Sequence, residues 1–192
     1  MTVIETPVVS SAQRRRCWIP SFPAANETGP ELPTDRLPEF DDMEQRCWQV
    51  FLESSTRLFE TLNRRLVHAH QLTMFDFLVL DVLAKSPHAS ARMGDLAQAL
   101  AVGPSRVTEQ IRRLEGERLV RRSRSTNDGR GVIATITREG RVRVKVAAST
   151  YGRDIRRHYL DQMSRNQMIA MGDSCRRVSA RLRAAEDPPK RF

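Results

Sequence analysis

Apolar residues recur at three- and four-residue intervals through most of the chain, and the interruptions of that rhythm mark its elements. Trp48, Phe51, Leu52, Leu58, Phe59, Leu62 and Leu66 fall on one stripe of a long first helix. Thr73 opens a second helix as its cap, with Asp76 three residues on in capping-box position and Phe77, Leu80 and Leu83 on the buried side. A short third helix runs from about Met93 to Leu100, with Leu96, Ala97 and Leu100 facing inward. Gly103-Pro104 then breaks and restarts the chain, because proline at the first helical position loses no hydrogen bond and already holds a helical φ. The fourth helix, about Pro104 to Glu117, buries Val107, Ile111 and Leu114, and its other face carries Ser105, Arg106, Thr108, Glu109, Arg112 and Arg113.

The period changes after the fourth helix. Leu119 to Arg124 and Gly131 to Ile136 alternate apolar and polar residues around Ser125-Thr126-Asn127-Asp128-Gly129, whose Asn, Asp and Gly favour a tight reversal, so a β-hairpin is expected. Thr137 caps a fifth helix reaching Ser149 or beyond, and Ser164 with Gln167 forms a capping box for a last helix ending near Leu182. The fold class is therefore mainly α with a small β-hairpin: a winged helix-turn-helix lobe at about 72–137, flanked by long helices at about 43–70 and 138–184. Residues 1–40, with six prolines and few apolar clusters, read as a disordered tail, and 186–192 as a short frayed one. Met43, just before the first periodic segment, is an alternative start of translation that an intact-mass measurement decides.

An apolar content of 40% is enough to bury a core. The net charge of +9 favours a polyanionic partner, nucleic acid or an anionic surface. No run approaches the roughly 18 apolar residues of a spanning helix, and Pro20 and Pro23 interrupt the segment after Arg14-Arg15-Arg16 before an export signal develops. A cytoplasmic protein without a membrane partner is expected. Cys17, Cys47 and Cys175 are odd in number and scattered, which suits neither a disulfide framework nor a zinc site. No cofactor and no metal is expected.

The charge concentrates where the helix-turn-helix lies. From Arg106 to Arg130 every basic residue is arginine: Arg106, Arg112, Arg113, Arg118, Arg121, Arg122, Arg124 and Arg130, against Glu109, Glu115, Glu117 and Asp128. An α-helix fits the major groove of DNA, where side chains of its first turns reach base edges while surrounding arms neutralise phosphates. Pro104, Ser105, Arg106, Thr108, Glu109, Arg112, Arg113 and Arg124 are the candidate contacts of this kind. Arg130 at the wing tip is placed to enter the minor groove, with Asp128 bracing its guanidinium.

The sequence resembles the MarR (multiple antibiotic resistance regulator) family from about Trp48 to Leu182. The resemblance rests on Leu72-Thr73, Gly94-Asp95-Leu96-Ala97, Ser105-Arg106-Val107-Thr108, Arg113-Leu114-Glu115, Leu119-Val120, Asp128-Gly129-Arg130 and Ile136-Thr137-Arg138-Glu139-Gly140. It implies a triangular homodimer in which the first, fifth and sixth helices interlock and two winged lobes read a palindromic site on double-stranded DNA. It also implies repression relieved by a small ligand or an oxidant.

Family members similar to this chain bind ligands between the dimer helices and the winged lobe. Trp48, Arg57, His68, His70 and Asp76 are the polar or amphipathic groups of that region able to orient an aromatic acid or a phenol. Each has a plainer reading: Trp48 as dimer core, Asp76 as helix cap, the histidines as surface residues. Cys47 lies near the start of the first helix, where peroxide-sensing members carry a reactive cysteine, and Arg46 beside it favours a thiolate. The tyrosines those sensors use are missing, since only Tyr151 and Tyr159 occur, which favours an ordinary thiol. His68 and His70, two apart on a helix, point in different directions and do not share a metal ion readily.

No glycine-rich phosphate loop, Gly-x-Ser-x-Gly elbow or His-Glu-x-x-His motif indicates an enzyme. The competing reading is a winged-helix protein-interaction module or a non-specific architectural DNA-binding protein. Steep weakening of binding with salt separates DNA from a protein partner.

Overall fold

The computed structural model describes residues 37–124 and 131–186. Their elements are α1 (Asp42–His70), α2 (Met74–Lys85), β1 (Ser90–Arg92), α3 (Met93–Ala99), α4 (Pro104–Gly116), β2 (Val120–Arg124), β3 (Val132–Ile136), α5 (Arg138–His158) and α6 (Arg165–Glu186). The chain divides between Glu60 and Thr61 into two compact units. Residues 1–36 and 187–192 of the expected tails and the hairpin tip, with Asp128 and Arg130, lie outside the described residues.

The first unit contains the start of α1. Asp41 caps it: its carboxylate accepts the Met43 and Glu44 amides, both at 2.8 Å, while Glu44 accepts the Asp41 amide at 2.9 Å. Trp48 and Phe51 touch with ring centroids 5.7 Å apart, and both remain exposed.

In the second unit, Leu62 and Leu66 of α1 join a core built from α2, α3, α4 and the sheet. The capping box of α2 forms as the sequence predicts. Thr73 Oγ1 accepts the Asp76 amide at 3.1 Å and Asp76 accepts the Thr73 amide at 2.7 Å. Val107, Ile111 and Leu114 are the buried face of α4, as their spacing requires. The α3–α4 turn takes its left-handed residue at Ala101 (φ 50°), and Gly103 then caps α4 ahead of Pro104. Arg118 (φ 60°) ends α4 in the conformation usual for glycine there, with the Leu119 amide donating back to Leu114 O at 2.9 Å.

The sheet has three strands, not the two of the expected hairpin, in the order β1-β3-β2 with both pairs antiparallel. The three residues of β1 are too few to show alternation. β1 exists because β3 has a second free edge, and Ser90 Oγ meets Thr135 Oγ1 across that pair at 2.8 Å. β2 also departs from simple alternation: Leu119 and Val120 are both buried, and Arg121 to Arg124 are all exposed.

Thr137 turns the sheet into α5. Its hydroxyl accepts the Gly140 amide at 3.0 Å and donates to Arg118 O at 2.8 Å, tying the helix start to the start of β2. A Cβ on Gly140 would lie 2.3 Å from Leu119 O, so the threonine-x-x-glycine spacing is a packing requirement. α5 extends well past Ser149, to His158, and packs on α2 through Tyr151, whose ring centroid is 4.5 Å from that of Phe77. Arg65 of α1 reaches the buried Asp154 of α5 at 3.3 Å. The Ser164–Gln167 capping box opens α6, which continues beyond Leu182 to Glu186. Among the described residues no single helix is long and apolar enough to cross a membrane.

Candidate nucleic-acid interface

The exposed side of α4 follows from its buried side. With 3.6 residues per turn, burying Val107, Ile111 and Leu114 turns Ser105, Thr108, Glu109 and Arg112 outward on one stripe, and all four are exposed. Pro104 stands exposed at the helix start and accepts a 3.0 Å hydrogen bond from Thr108 Oγ1 through its carbonyl. Glu109 and Arg112 have no ion pair among the described residues, which leaves a hydrogen-bond acceptor and a guanidinium fork available to a ligand.

Arg106 is held differently. Its guanidinium lies 5.0 Å from the centroid of the Phe75 ring, a cation–π placement that limits its reach. Arg113 departs further from the expectation that it contacts DNA. It turns to the flank of α4, where Nη2 donates to Asp76 Oδ1 and Nη1 donates to Glu117. Asp76 in turn is fully buried, its carboxylate filled by Thr73, Gln110 and Arg113, so it is not open to the small ligand foreseen for it. Gln110 was not among the sequence candidates. The available signal was its i, i+3 spacing with Arg113, which sets two polar side chains together on one edge of the apolar stripe.

The wing is anchored to α4 as well. The Arg122 amide donates to Glu115 Oε1 at 3.0 Å and its guanidinium to Glu115 Oε2 at 2.6 Å. The side-chain hydrogen bond from Arg122 is the main reason the Glu115 carboxyl titrates below its ordinary range, and the Arg122 amide adds to it. Arg121 and Arg124 are exposed on β2, where they extend the basic surface beyond the helix.

The other candidates divide between the two units. Cys47 is an exposed free thiol, and neighbouring Arg46 donates to the Asp42 carbonyl at 3.2 Å. Trp48 is 45% exposed, and Arg57 pairs with Glu53 on its own helix at 2.9 Å. These three belong to the first unit. In the second, His68 is exposed, and His70 Nε2 lies 2.8 Å from Thr150 Oγ1. No cluster of three or more His, Cys, Asp or Glu side chains able to hold a metal forms among the described residues.

AbsC of Streptomyces coelicolor, a MarR family transcriptional regulator, matches with a TM-score of 0.73 at 31% identity, over 76% of this chain and 97% of AbsC. This chain belongs to the MarR family. Sco3205 of the same organism, a MarR family regulator whose crystal structure contains DNA, matches with a TM-score of 0.74 at 27% identity, over 79% of this chain and 93% of its own. Bordetella bronchiseptica BpsR, whose DNA binding is regulated by 6-hydroxynicotinic acid, shares the fold at 21% identity (TM-score 0.65; 73% of this chain and 96% of BpsR). The SarA/Rot transcriptional regulator model matches residues 61–146, within the second unit. No curated protein matches by sequence. The resemblance to MarR regulators drawn from the motifs is thus correct, and α4 of this member of the family carries Ser105, Thr108, Glu109 and Arg112 on its exposed stripe.

Proposed function

We propose that this MarR family regulator is a homodimeric repressor that reads a palindromic site on double-stranded DNA through α4 and grips the flanking backbone with its wing. The exposed stripe on α4 carries the reading: two hydroxyls, a carboxylate and a guanidinium, the last two without ion pairs among the described residues, are groups that recognise base edges. Arg121 and Arg124 supply phosphate contacts beside it, and Arg130 with Asp128, which lie between the two strands in sequence, are assigned to the minor groove on the sequence alone. Sco3205, crystallised with DNA, is a relative in which the same fold meets this partner.

Dimerisation is supported by large apolar side chains that stay exposed among the described residues, Trp48, Phe51, Ile169, Val178 and Leu182 among them. A small aromatic or phenolic ligand that weakens DNA binding completes the reading, with Trp48, Arg57 and His68 as remaining candidates for orienting it. The protein acts in the cytoplasm, where its DNA lies.

Pull-down of genomic fragments by the purified protein, followed by footprinting at two salt concentrations, tests the proposal. A protected palindrome whose occupancy falls steeply with salt is the expected result. Enrichment without any shared sequence would replace a specific regulator with a general DNA-binding protein.

A further inference from the structure

We propose that Asp76 and Arg113 set the orientation of the recognition helix without touching DNA, so that Asp76 is a positioning residue acting through Gln110 and Arg113. The inference rests on the reading of α4 as the DNA-reading helix.

The two oxygens of Asp76 have separate tasks. Oδ2 does the local work of the capping box, accepting the Thr73 amide at 2.7 Å and the Thr73 hydroxyl at 2.6 Å. Oδ1 accepts from Gln110 Nε2 and Arg113 Nη2 of α4, more than thirty residues away in sequence. Asp76 is fully buried, and an ionised carboxylate there persists only when both oxygens are satisfied and a counter-charge is present. Arg113 supplies that charge and, through its other amino group, also holds Glu117. The same first turn of α2 is fixed from a third side, where the Met74 amide donates to Asn63 Oδ1 of α1 at 2.8 Å.

This clamp does what apolar packing alone does poorly. Val107, Ile111 and Leu114 hold α4 against the core, but hydrophobic burial has no direction and tolerates small rotations about the helix axis. Charge-assisted hydrogen bonds to a fixed carboxylate resist such rotation. Gln110 and Arg113 lie on the flank between the buried stripe and the outward one. Holding them fixes the direction in which Glu109 and Arg112, each adjacent in sequence to a clamped residue, project. Base readout needs side chains placed within about 0.5 Å, so a loosened clamp lowers discrimination even in a folded protein.

The full chain carrying R113A, R113K or Q110A is compared with wild type on a footprinted operator and on unrelated DNA, across a salt series, with thermal melts beside each. The expected result for R113A is a loss of operator affinity of about tenfold, with affinity for unrelated DNA kept within about twofold. The slope of log affinity against log salt stays at the wild-type value, because no phosphate contact is lost. Q110A shows the same pattern more weakly, and R113K falls between wild type and R113A because its ammonium keeps the charge but not the fork.

A slope flattened by about 0.9 in R113A would make Arg113 a phosphate contact and overturn the proposal. A lower melting temperature with unchanged operator affinity would reduce the clamp to a structural role and also overturn it. If R113A does not fold, Q110A and R113K, which leave Asp76 in its cap, decide by the same readouts. A wild-type protein that shows no operator preference at all would remove the DNA-reading function itself, and the positioning role with it.

Discussion

The lobe between Leu72 and Ile136 and the terminal helix α6 are written in the same apolar rhythm, yet they end differently. In the lobe Leu72, Val79, Leu80, Leu83, Leu96, Val107, Ile111, Leu114 and Leu119 keep no accessible surface. In α6 Met171, Cys175, Val178 and Leu182 follow one another at four-, three- and four-residue steps, the seam of a helix that packs lengthwise on another, and all four are exposed. Val178 and Leu182 are 59% and 60% accessible. The pattern in each case specifies an apolar face. The difference is the partner: the lobe folds its own around α4, whereas the α6 stripe stays uncovered among the described residues, and a second copy of the protein is the partner we propose.

The sharpest way to break this comparison is to damage each face in turn. Ile111→Ala removes a fully buried side chain from the lobe and is expected to cost about 2–5 kcal/mol of folding stability, measured by denaturant unfolding. A loss near zero would mean that the lobe core is not the stabilising element its burial indicates. Val178→Asp on α6 should leave the unfolding of the dilute monomer nearly unchanged and instead weaken self-association by at least about tenfold, read by sedimentation over a concentration series. An unaltered association constant would place the dimer contact elsewhere.

The contrast also marks what the sequence conveyed. Local signals were readable: the Thr73–Asp76 and Ser164–Gln167 boxes, the Thr137 cap and the buried stripe of α4 all depend on residues within one or two helical turns. What escaped depends on partners far along the chain. β1 is a strand only because Ser90 to Arg92 meet Ile133 to Thr135. Arg113 reads as one more arginine in a basic run until α4 is laid against α2 and its guanidinium meets Asp76. Asp76 was visible as a cap, but a capping box uses one carboxylate oxygen and gives no indication of what the other does.

Within the lobe, the two polar edges of α4 can be compared in the same way. Arg113 is committed to the protein, while Glu109 projects from the stripe assigned to DNA. A glutamate there accepts from the cytosine amino group, and glutamine at the same place favours adenine. Glu109→Gln is therefore expected to change preference at one symmetric pair of operator positions, by about 1–3 kcal/mol, in a binding selection from randomised half-sites. A uniform rise in affinity for every sequence would show instead that the carboxylate only repels phosphate.

The smallest effect concerns the wing, which is tied to α4 at the surface as well as through the buried Val120. Arg122 donates to Glu115 from both its amide and its guanidinium, and these bonds hold the Glu115 carboxyl below its usual 4.5 in the folded protein. A carboxyl whose folded value is depressed contributes its stabilisation above the unfolded value and loses it as pH falls through the folded one. The tether is thus fully present at neutral pH and is released only in acid, below about 4.5. The Arg122 amide resonance, followed by NMR from about pH 6 to about pH 3, should titrate with a midpoint below the ordinary carboxylate value, and Glu115→Gln should abolish that titration. A midpoint at the ordinary value would mean that the wing and α4 are not joined in solution through this pair, leaving the β2 arginines free to move independently of the helix they flank.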